Sequence, residues 1–85
     1  TLLFSALFVQ ADNGPTTGNT VFTLRLNGVD STLSCTMTPA DTSCADNEGA
    51  AGPTCILGQF LDLEVQHATV GSITDVKFTV AYRTM

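Results

Sequence analysis

The 85-residue chain has little charge of either sign and almost no positive charge. Charged residues are 13% of it, and three Lys and Arg stand against eight Asp and Glu, a formal net charge of −5. So few cations make it a poor candidate for binding the phosphates of nucleic acid or the headgroups of an anionic membrane. No run of about 20 apolar residues is present, so we predict no membrane insertion.

Motifs of catalytic and metal sites are also missing. There is no G-x-S-x-G elbow, no C-x-x-C pair, no Trp and a single histidine, His67. His67 is a candidate general base, but no nucleophile lies near it, and an exposed histidine at a strand end is favoured. Asp62 and Glu64 share one face of a predicted strand, where solvated acids are favoured over a glycosidase pair. We predict a non-enzymatic protein with no catalytic residue and no metal.

What the chain does contain is typical of β-structure. Thr is very frequent, and Val, Leu and Phe are common. These side chains suit a pleated, half-buried surface, and Thr and Ser supply much of the polar faces. The sequence predicts one all-β domain over residues 1–85, with no helix.

The first predicted strand, Leu3 to Val9, is apolar on both faces. One face has Leu3, Leu7 and Val9, and the other has Phe4, Ala6 and Phe8. A strand of this kind is covered on both sides, and in so small a domain we expect the second cover to come from another chain. The alternative is the end of a signal peptide, because residues 9–11 fit a cleavage site.

A β-hairpin is predicted over residues 21–37. Residues 21–26 and 32–37 alternate apolar and polar side chains, with Asn27-Gly28 directly after the first run. Asn-Gly tolerates the positive φ angles of a type I′ turn, which joins paired strands. The predicted inward residues are Phe22, Leu24 and Leu26 in the first strand, and Leu33, Cys35 and Met37 in the second.

Residues 38–54 are predicted to be an irregular loop that is functional or stapled. Two more alternating strands follow, with inward faces formed by Leu57, Leu61, Leu63 and Val65, and by Val76, Phe78, Val80 and Tyr82. About five strands make an antiparallel, jelly-roll-like β-sandwich or half of one. Since natural proteins rarely leave long hydrophobic edges bare, we expect a neighbouring subunit to complete it.

Three cysteines are present: Cys35, Cys44 and Cys55. Cys35–Cys44 and Cys44–Cys55 would close loops of similar length, and either pair leaves one thiol, buried or available between subunits. A zinc site is disfavoured, because C-x-x-C spacing is absent and His67 is distant. A disulfide implies an oxidising or extracellular environment.

The 38–54 loop is a candidate ligand loop because it gathers oxygen-bearing side chains, namely Asp41, Asp46, Asn47 and Glu48. Such side chains bind Ca²⁺ in other proteins, but their spacing here matches no EF-hand, and a solvated loop is favoured. Four aromatic residues are candidates for a sugar-binding platform: Phe4, Phe8, Phe60 and Tyr82. A role in the core or at a subunit interface is favoured for these rings.

Two segments carry a family resemblance. Leu3 to Val9 and the stretch TVFTLRLNGVDSTLSCT, residues 20–36, resemble the C-terminal jelly-roll-like domains of phage fibre and bacterial surface proteins, which often cap collagen-like stalks. The family pattern has a TFTLRxNG strand and turn, a DTxLTCT strand and a TSC element, which residues 42–44 match. The resemblance implies a jelly-roll-like sandwich and supports the pairing of Cys35 with Cys44. Gln59 replaces the usual Asp, Cys55 is extra and an N-terminal strand is missing, so a filament or shell is an alternative to a trimer.

These observations predict a structural subunit that assembles with itself outside the cell, at a cell surface or on a virion, as a filament, fibre head or capsid decoration. The expected assembly interface consists of Leu2, Phe4, Ala6 and Phe8. The alternative is an adhesin module that binds a glycan or host receptor through the 38–54 loop and the loop from Asp12 to Asn19, since loops on a rigid sandwich commonly carry recognition.

Overall fold

The computed structural model describes residues 1–15, 17–56, 58–67 and 75–84, and nearly all of its regular structure is β-strand. The strands are β1 (Leu2–Gln10), β2 (Thr20–Leu26), β3 (Val29–Met37), β4 (Ser43–Asn47), β5 (Thr54–Cys55), β6 (Leu61–His67) and β7 (Lys77–Thr84). A single 3₁₀ turn covers Gly49–Ala51 in the described part of the chain. No described helix has the length and hydropathy needed to span a membrane.

Two antiparallel sheets pack face to face. In the first sheet β1 is central, with β7 along one edge and β4 followed by β5 along the other. In the second sheet β2 is central, between β3 and β6. The predicted all-β antiparallel sandwich is therefore confirmed. The predicted number of strands is too small, because β4 and β5 lie within the segment expected to be irregular.

The β2–β3 hairpin turns at Asn27-Gly28, where the alternation places it. Leu26 lies opposite Val29, so the connection has two residues, and their φ angles of 54° and 81° are those of a type I′ turn. Arg25 closes the end of the hairpin through an ion pair with Asp30, with Nε 3.1 Å from Oδ1.

The central strand β1 contains a bulge that explains its two apolar faces. The pairing of β1 with β7 shifts register between Phe4 and Ala6, so the alternation changes phase at Ser5. Phe4 therefore shares the inner face with Leu7 and Val9, in place of the predicted Leu3. Leu3 and Ala6 are only 2% and 3% exposed in this single chain. Leu3 and Ala6 therefore need no cover from another chain, while Phe8 on the same strand is 46% exposed.

The core lies between the two central strands and β3. Phe4, Leu7 and Val9 of the first sheet meet a set from the second sheet, Phe22, Leu24, Leu33 and Met37, in one buried cluster. All of these side chains are 5% exposed or less. The core is thus displaced towards β3 and β4 and away from β6 and β7.

Candidate functional site

On one long side of the sandwich, β3 and β4 are joined by a disulfide. Cys35 and Cys44 are bonded, with their Cα atoms 5.7 Å apart, so the bond links the two sheets. This confirms the pairing that the resemblance supports and excludes Cys44–Cys55. Cys55 is a half-buried free thiol in β5, opposite Leu2. A disulfide of this kind is typical of an oxidising, extracellular setting.

Two acids of the predicted ligand loop reinforce the same side. Asp46 Oδ2 accepts a hydrogen bond from the Ser34 amide at 3.1 Å. Glu48 Oε1 accepts one from the Thr32 hydroxyl at 2.6 Å. Each bond runs from β3 to the chain at or just after β4, so these carboxylates fasten the sheets together. We call the β3–β4 edge, with its disulfide and these two bonds, the closed side.

Asp41 belongs to the turn that leads from β3 to β4. Its amide donates to the Thr38 carbonyl at 3.0 Å, and Ala40 at the third turn position has φ 73°. Its carboxylate accepts from the Thr38 hydroxyl at 2.7 Å and from the Thr38 amide at 3.0 Å. These bonds hold the pKa of Asp41 below its ordinary value of 3.8, the hydroxyl having the larger effect.

The structure does not gather the loop acids around one point. In the described residues, no three His, Cys, Asp or Glu side chains form a group that could hold a metal ion. Asn47 is exposed on β4, opposite Ala6, while Asp46 faces β3. Asp41, Asp46 and Glu48 are thus bonded to β3 or its turn, and a ligand role for the loop stays a prediction.

The other long side of the sandwich is different. By register, Phe78, Val80 and Tyr82 of β7 lie opposite Val9, Leu7 and Phe4 and share the inner face. Leu61, Leu63 and Val65 of β6 lie opposite Leu26, Leu24 and Phe22. The predicted inward faces of these described residues are therefore correct, while the predicted Leu57 lies outside the described residues.

These side chains face inward, but they are not buried. Phe78 is 43% exposed and Tyr82 is 63% exposed, and Leu61 and Val65 on β6 are both 44% exposed. The Tyr82 ring leans against Phe4, with centroids 6.4 Å apart at 60°, and its other side is open. We call the β6–β7 edge the open side, because its inward apolar residues lack a cover among the described residues.

A groove of about 760 Å³ runs along the open side. Its apolar lining includes Leu2, Phe4, Leu61, Phe78, Val80 and Tyr82. In the described structure β6 pairs only with β2, and β7 only with β1, so each strand has one edge outside any ladder. An apolar groove beside unpaired strand edges is a template for an added strand.

The four residues expected to form the assembly interface are separated by the fold. Leu2 lines the groove and is half-buried, while Phe4 and Ala6 are buried in their own chain. Phe8 is 46% exposed on the opposite, outer face of the first sheet. The four side chains therefore do not form one exposed surface, and the assembly interface stays a prediction. Leu61, Phe78 and Tyr82, which alternation alone assigns to a core, are the exposed apolar side chains of the groove.

The remaining candidates also separate. Tyr82 lines the groove, Phe8 lies on the outer face and Phe4 is buried, so they form no joint platform with Phe60, which is 78% exposed. Glu64 forms an ion pair with Arg25, with Oε2 3.9 Å from Nη1. The Glu64 side chain is 27% exposed and is thus ion-paired on a half-buried face, and Asp62 lies opposite Arg25 in the β2–β6 ladder. His67 ends β6 opposite Thr20.

A second, more polar cavity of about 540 Å³ lies between the loops after β1 and β3. It is lined by Asp12, Asn13, Gly14, Pro15, Pro39, Ala40 and Thr42. The two loops are in close contact, since the Ala40 amide donates to the Pro15 carbonyl at 3.2 Å. A Cβ on Gly14 would lie 1.7 Å from the Asp41 carbonyl oxygen, so this contact requires glycine.

Comparisons with protein-family models, curated proteins and solved structures found no match to this chain. The resemblance to phage fibre and bacterial surface domains therefore remains a prediction.

Proposed function

We propose that this chain is a non-enzymatic structural subunit that assembles with copies of itself through the strand edges and apolar groove of its open side. The observation that carries the proposal is the exposure of inward-facing side chains there, with Phe78 at 43% and Tyr82 at 63%. Large apolar side chains exposed together mark interaction surfaces more often than isolated ones do.

Strand addition accounts for both features of the open side. A neighbouring strand would pair its backbone with a free edge, and its alternate side chains would enter the groove. β7 offers eight residues for such pairing, with Phe78, Val80 and Tyr82 on the face to be covered. The closed side offers less room for an added strand, because a disulfide and two side-chain hydrogen bonds hold β3 against β4.

The finer setting is part of the proposal. The disulfide supports an extracellular location, and the family resemblance favours a cell surface or virion. There the assembly would be a filament, a fibre head or a capsid decoration of jelly-roll-like subunits.

The test compares two exposed phenylalanines on different faces. Phe78 is 43% exposed in the groove and Phe8 is 46% exposed on the outer face. Phe78→Ser should disperse the assemblies that electron microscopy and sedimentation detect for the unmodified protein, while Phe8→Ser should leave them intact. Assemblies that survive Phe78→Ser and disappear with Phe8→Ser would move the interface to the outer face and refute the proposal.

A second candidate function is favoured by the cavity between the two loops. Its polar lining on a rigid sandwich fits an adhesin module that binds a glycan or host receptor. Glycan-array binding that is lost on Asn13→Ala, without loss of assembly, would support it. An array with no binding at any concentration would exclude the glycan version.

A further inference from the structure

The charges along β7 indicate how two copies would meet. Two of the three basic residues of the chain, Lys77 and Arg83, lie on the outward face of this strand. Neither forms an ion pair with a described residue, whereas Arg25 pairs with Asp30 and Glu64. β7 is therefore a cationic edge on a chain whose net charge is −5.

Opposite charge lies at the start of the same strand. Asp75 lies two residues before β7, and its carboxyl group shares a hydrogen bond with the carboxyl group of Asp12. This bond and the Asp12 charge raise the pKa of Asp75 above 3.8. Among the described residues, neither carboxyl group forms an ion pair with a cation. One end of the edge thus carries two neighbouring carboxylates and the other end carries the Arg83 guanidinium.

The pleat restricts how β7 can pair antiparallel with a second β7. Residues that lie opposite each other in the ladder must point to the same face of the sheet. The two-fold axis must therefore lie at one residue, which then pairs with its own copy, and cannot lie between two consecutive residues. An axis at Val80 would place Lys77 opposite the partner's Arg83, a repulsive pair that occurs twice. An axis at Ala81 would place Phe78 opposite the partner's Thr84 and Arg83 opposite the partner's Thr79, so the guanidinium would gain no carboxylate.

We propose that a second copy of this chain docks on the open side by antiparallel β7–β7 pairing about a two-fold axis at Thr79. Phe78 then lies opposite the partner's Val80, and Val76 opposite the partner's Tyr82. Asp75 lies opposite the partner's Arg83, and Lys77 opposite the partner's Ala81. The backbone ladder ends at Val76, since Asp75 has φ 53°, and the Asp75–Arg83 contact is made by side chains.

This register provides partners for the exposed apolar side chains of β7, for Arg83 and for the Asp12–Asp75 pair, while Lys77 lies opposite the partner's Ala81. It covers Phe78 and Tyr82, which are exposed on the inner face, with apolar side chains of the partner. At each end of the interface, it places the Arg83 guanidinium of one copy beside the Asp12–Asp75 pair of the other. The two first sheets become one continuous sheet across the axis. The inference rests on the proposed self-assembly and adds the partner strand, symmetry and register to it.

The test is a charge swap read by sedimentation equilibrium at low ionic strength. Arg83→Glu and Asp75→Lys should each weaken dimerisation roughly tenfold, because each replaces two attractive contacts by two repulsive ones. The double variant Asp75→Lys/Arg83→Glu should restore the dissociation constant to within about twofold of the unmodified protein. Both side chains are exposed, and circular dichroism checks that each variant folds.

The other outcomes separate the register from the proposed function. Tighter dimers with Arg83→Glu would place the axis at Val80, where Lys77 faces position 83, and overturn the Thr79 register. If neither Arg83→Glu nor Asp75→Lys changes the dissociation constant, but Phe78→Ser abolishes the dimer, β7–β7 pairing is overturned while self-assembly stands. An unmodified protein that is monomeric at all concentrations would overturn both and leave the groove to another occupant.

Discussion

The two long sides of this sandwich are built from strands with the same alternation of apolar and polar residues. The inward side chains are buried on one side and exposed on the other. On the closed side, Leu33 and Met37 of β3 face inward and are fully buried. On the open side, Leu61 of β6 and Phe78 of β7 also face inward by register, yet they are 44% and 43% exposed. The difference lies in what joins the sheets rather than in the hydrophobic pattern.

An inward-facing side chain is buried only where the opposite sheet reaches over it. On the closed side a disulfide and two carboxylate hydrogen bonds hold β3 against β4. A domain of this size buries a smaller share of its surface than a larger one, so covering both sides with its own residues is difficult. The contrast shows that the exposed inward side chains of the open side are the part of the core that the described chain leaves uncovered, and the proposed assembly would cover them.

The largest expected effect comes from matched leucines on the two sides. Leu33→Ala should lower the free energy of unfolding by about 2–5 kcal/mol, since it leaves a cavity in a closed core. Leu61→Ala should lower it by only about 1 kcal/mol in the monomer, because water already reaches that side chain. Urea titration at concentrations below assembly measures both. Equal losses of unfolding free energy for the two substitutions would show that Leu61 is buried in solution.

The disulfide gives the next largest effect. Replacing both Cys35 and Cys44 by Ala should cost about 2–3 kcal/mol, because the bond closes a short loop between residues nine apart. Hydrogen exchange should increase in β3 and β4 more than in β6.

Cys55→Ser is the matched control for the disulfide, since Cys55 is a free thiol. It should change stability by much less than the double replacement. If the control and the double replacement lose the same stability, the disulfide does not hold the closed side.

Local chemistry predicts part of this fold well. Asn27-Gly28 fixes the hairpin because few residue pairs accept two positive φ angles, and the inward sets of β2, β3, β6 and β7 follow from alternation. The sequence does not predict β4, because its Asp and Asn disfavour strands. Its pairing with β1 is also long-range, so no local pattern reveals it. The sequence does not predict the bulge at Ser5, because a strand with apolar residues on both faces has the same pattern whether or not its register shifts.

The candidate site was less predictable than the fold. The sequence places Phe78 and Tyr82 on the correct face, but their exposure depends on which strand edges the disulfide draws together. Sequence proximity alone predicts that Asp46 and Glu48 act together as ligands. Their bonds to Ser34 and Thr32 depend on the distant strand β3, which sequence spacing does not show.

The smallest predicted effect compares an aspartate from each side. Asp41, in the closed side's turn, has a pKa below 3.8 because Thr38 donates two hydrogen bonds to its carboxylate. Its stabilising contribution is present above pH 3.8 and is lost as the pH falls through its folded pKa. Asp75, at the start of β7, has a pKa above 3.8 because of Asp12. Its ionised form is disfavoured in the folded chain, so that penalty disappears as the pH falls through its folded pKa towards 3.8.

Carboxyl-carbon NMR titration of the two aspartates measures this contrast directly. Thr38→Val should raise the pKa of Asp41 towards 3.8 without moving that of Asp75, since the hydroxyl is the larger cause of the shift. Asp12→Asn should lower the pKa of Asp75 and leave Asp41 unchanged. Dimerisation through β7 should also lower the pKa of Asp75, because the partner's Arg83 favours the carboxylate. A pKa of Asp75 that is independent of protein concentration across the assembly range would argue against that contact, even if the swap variants had weakened the dimer.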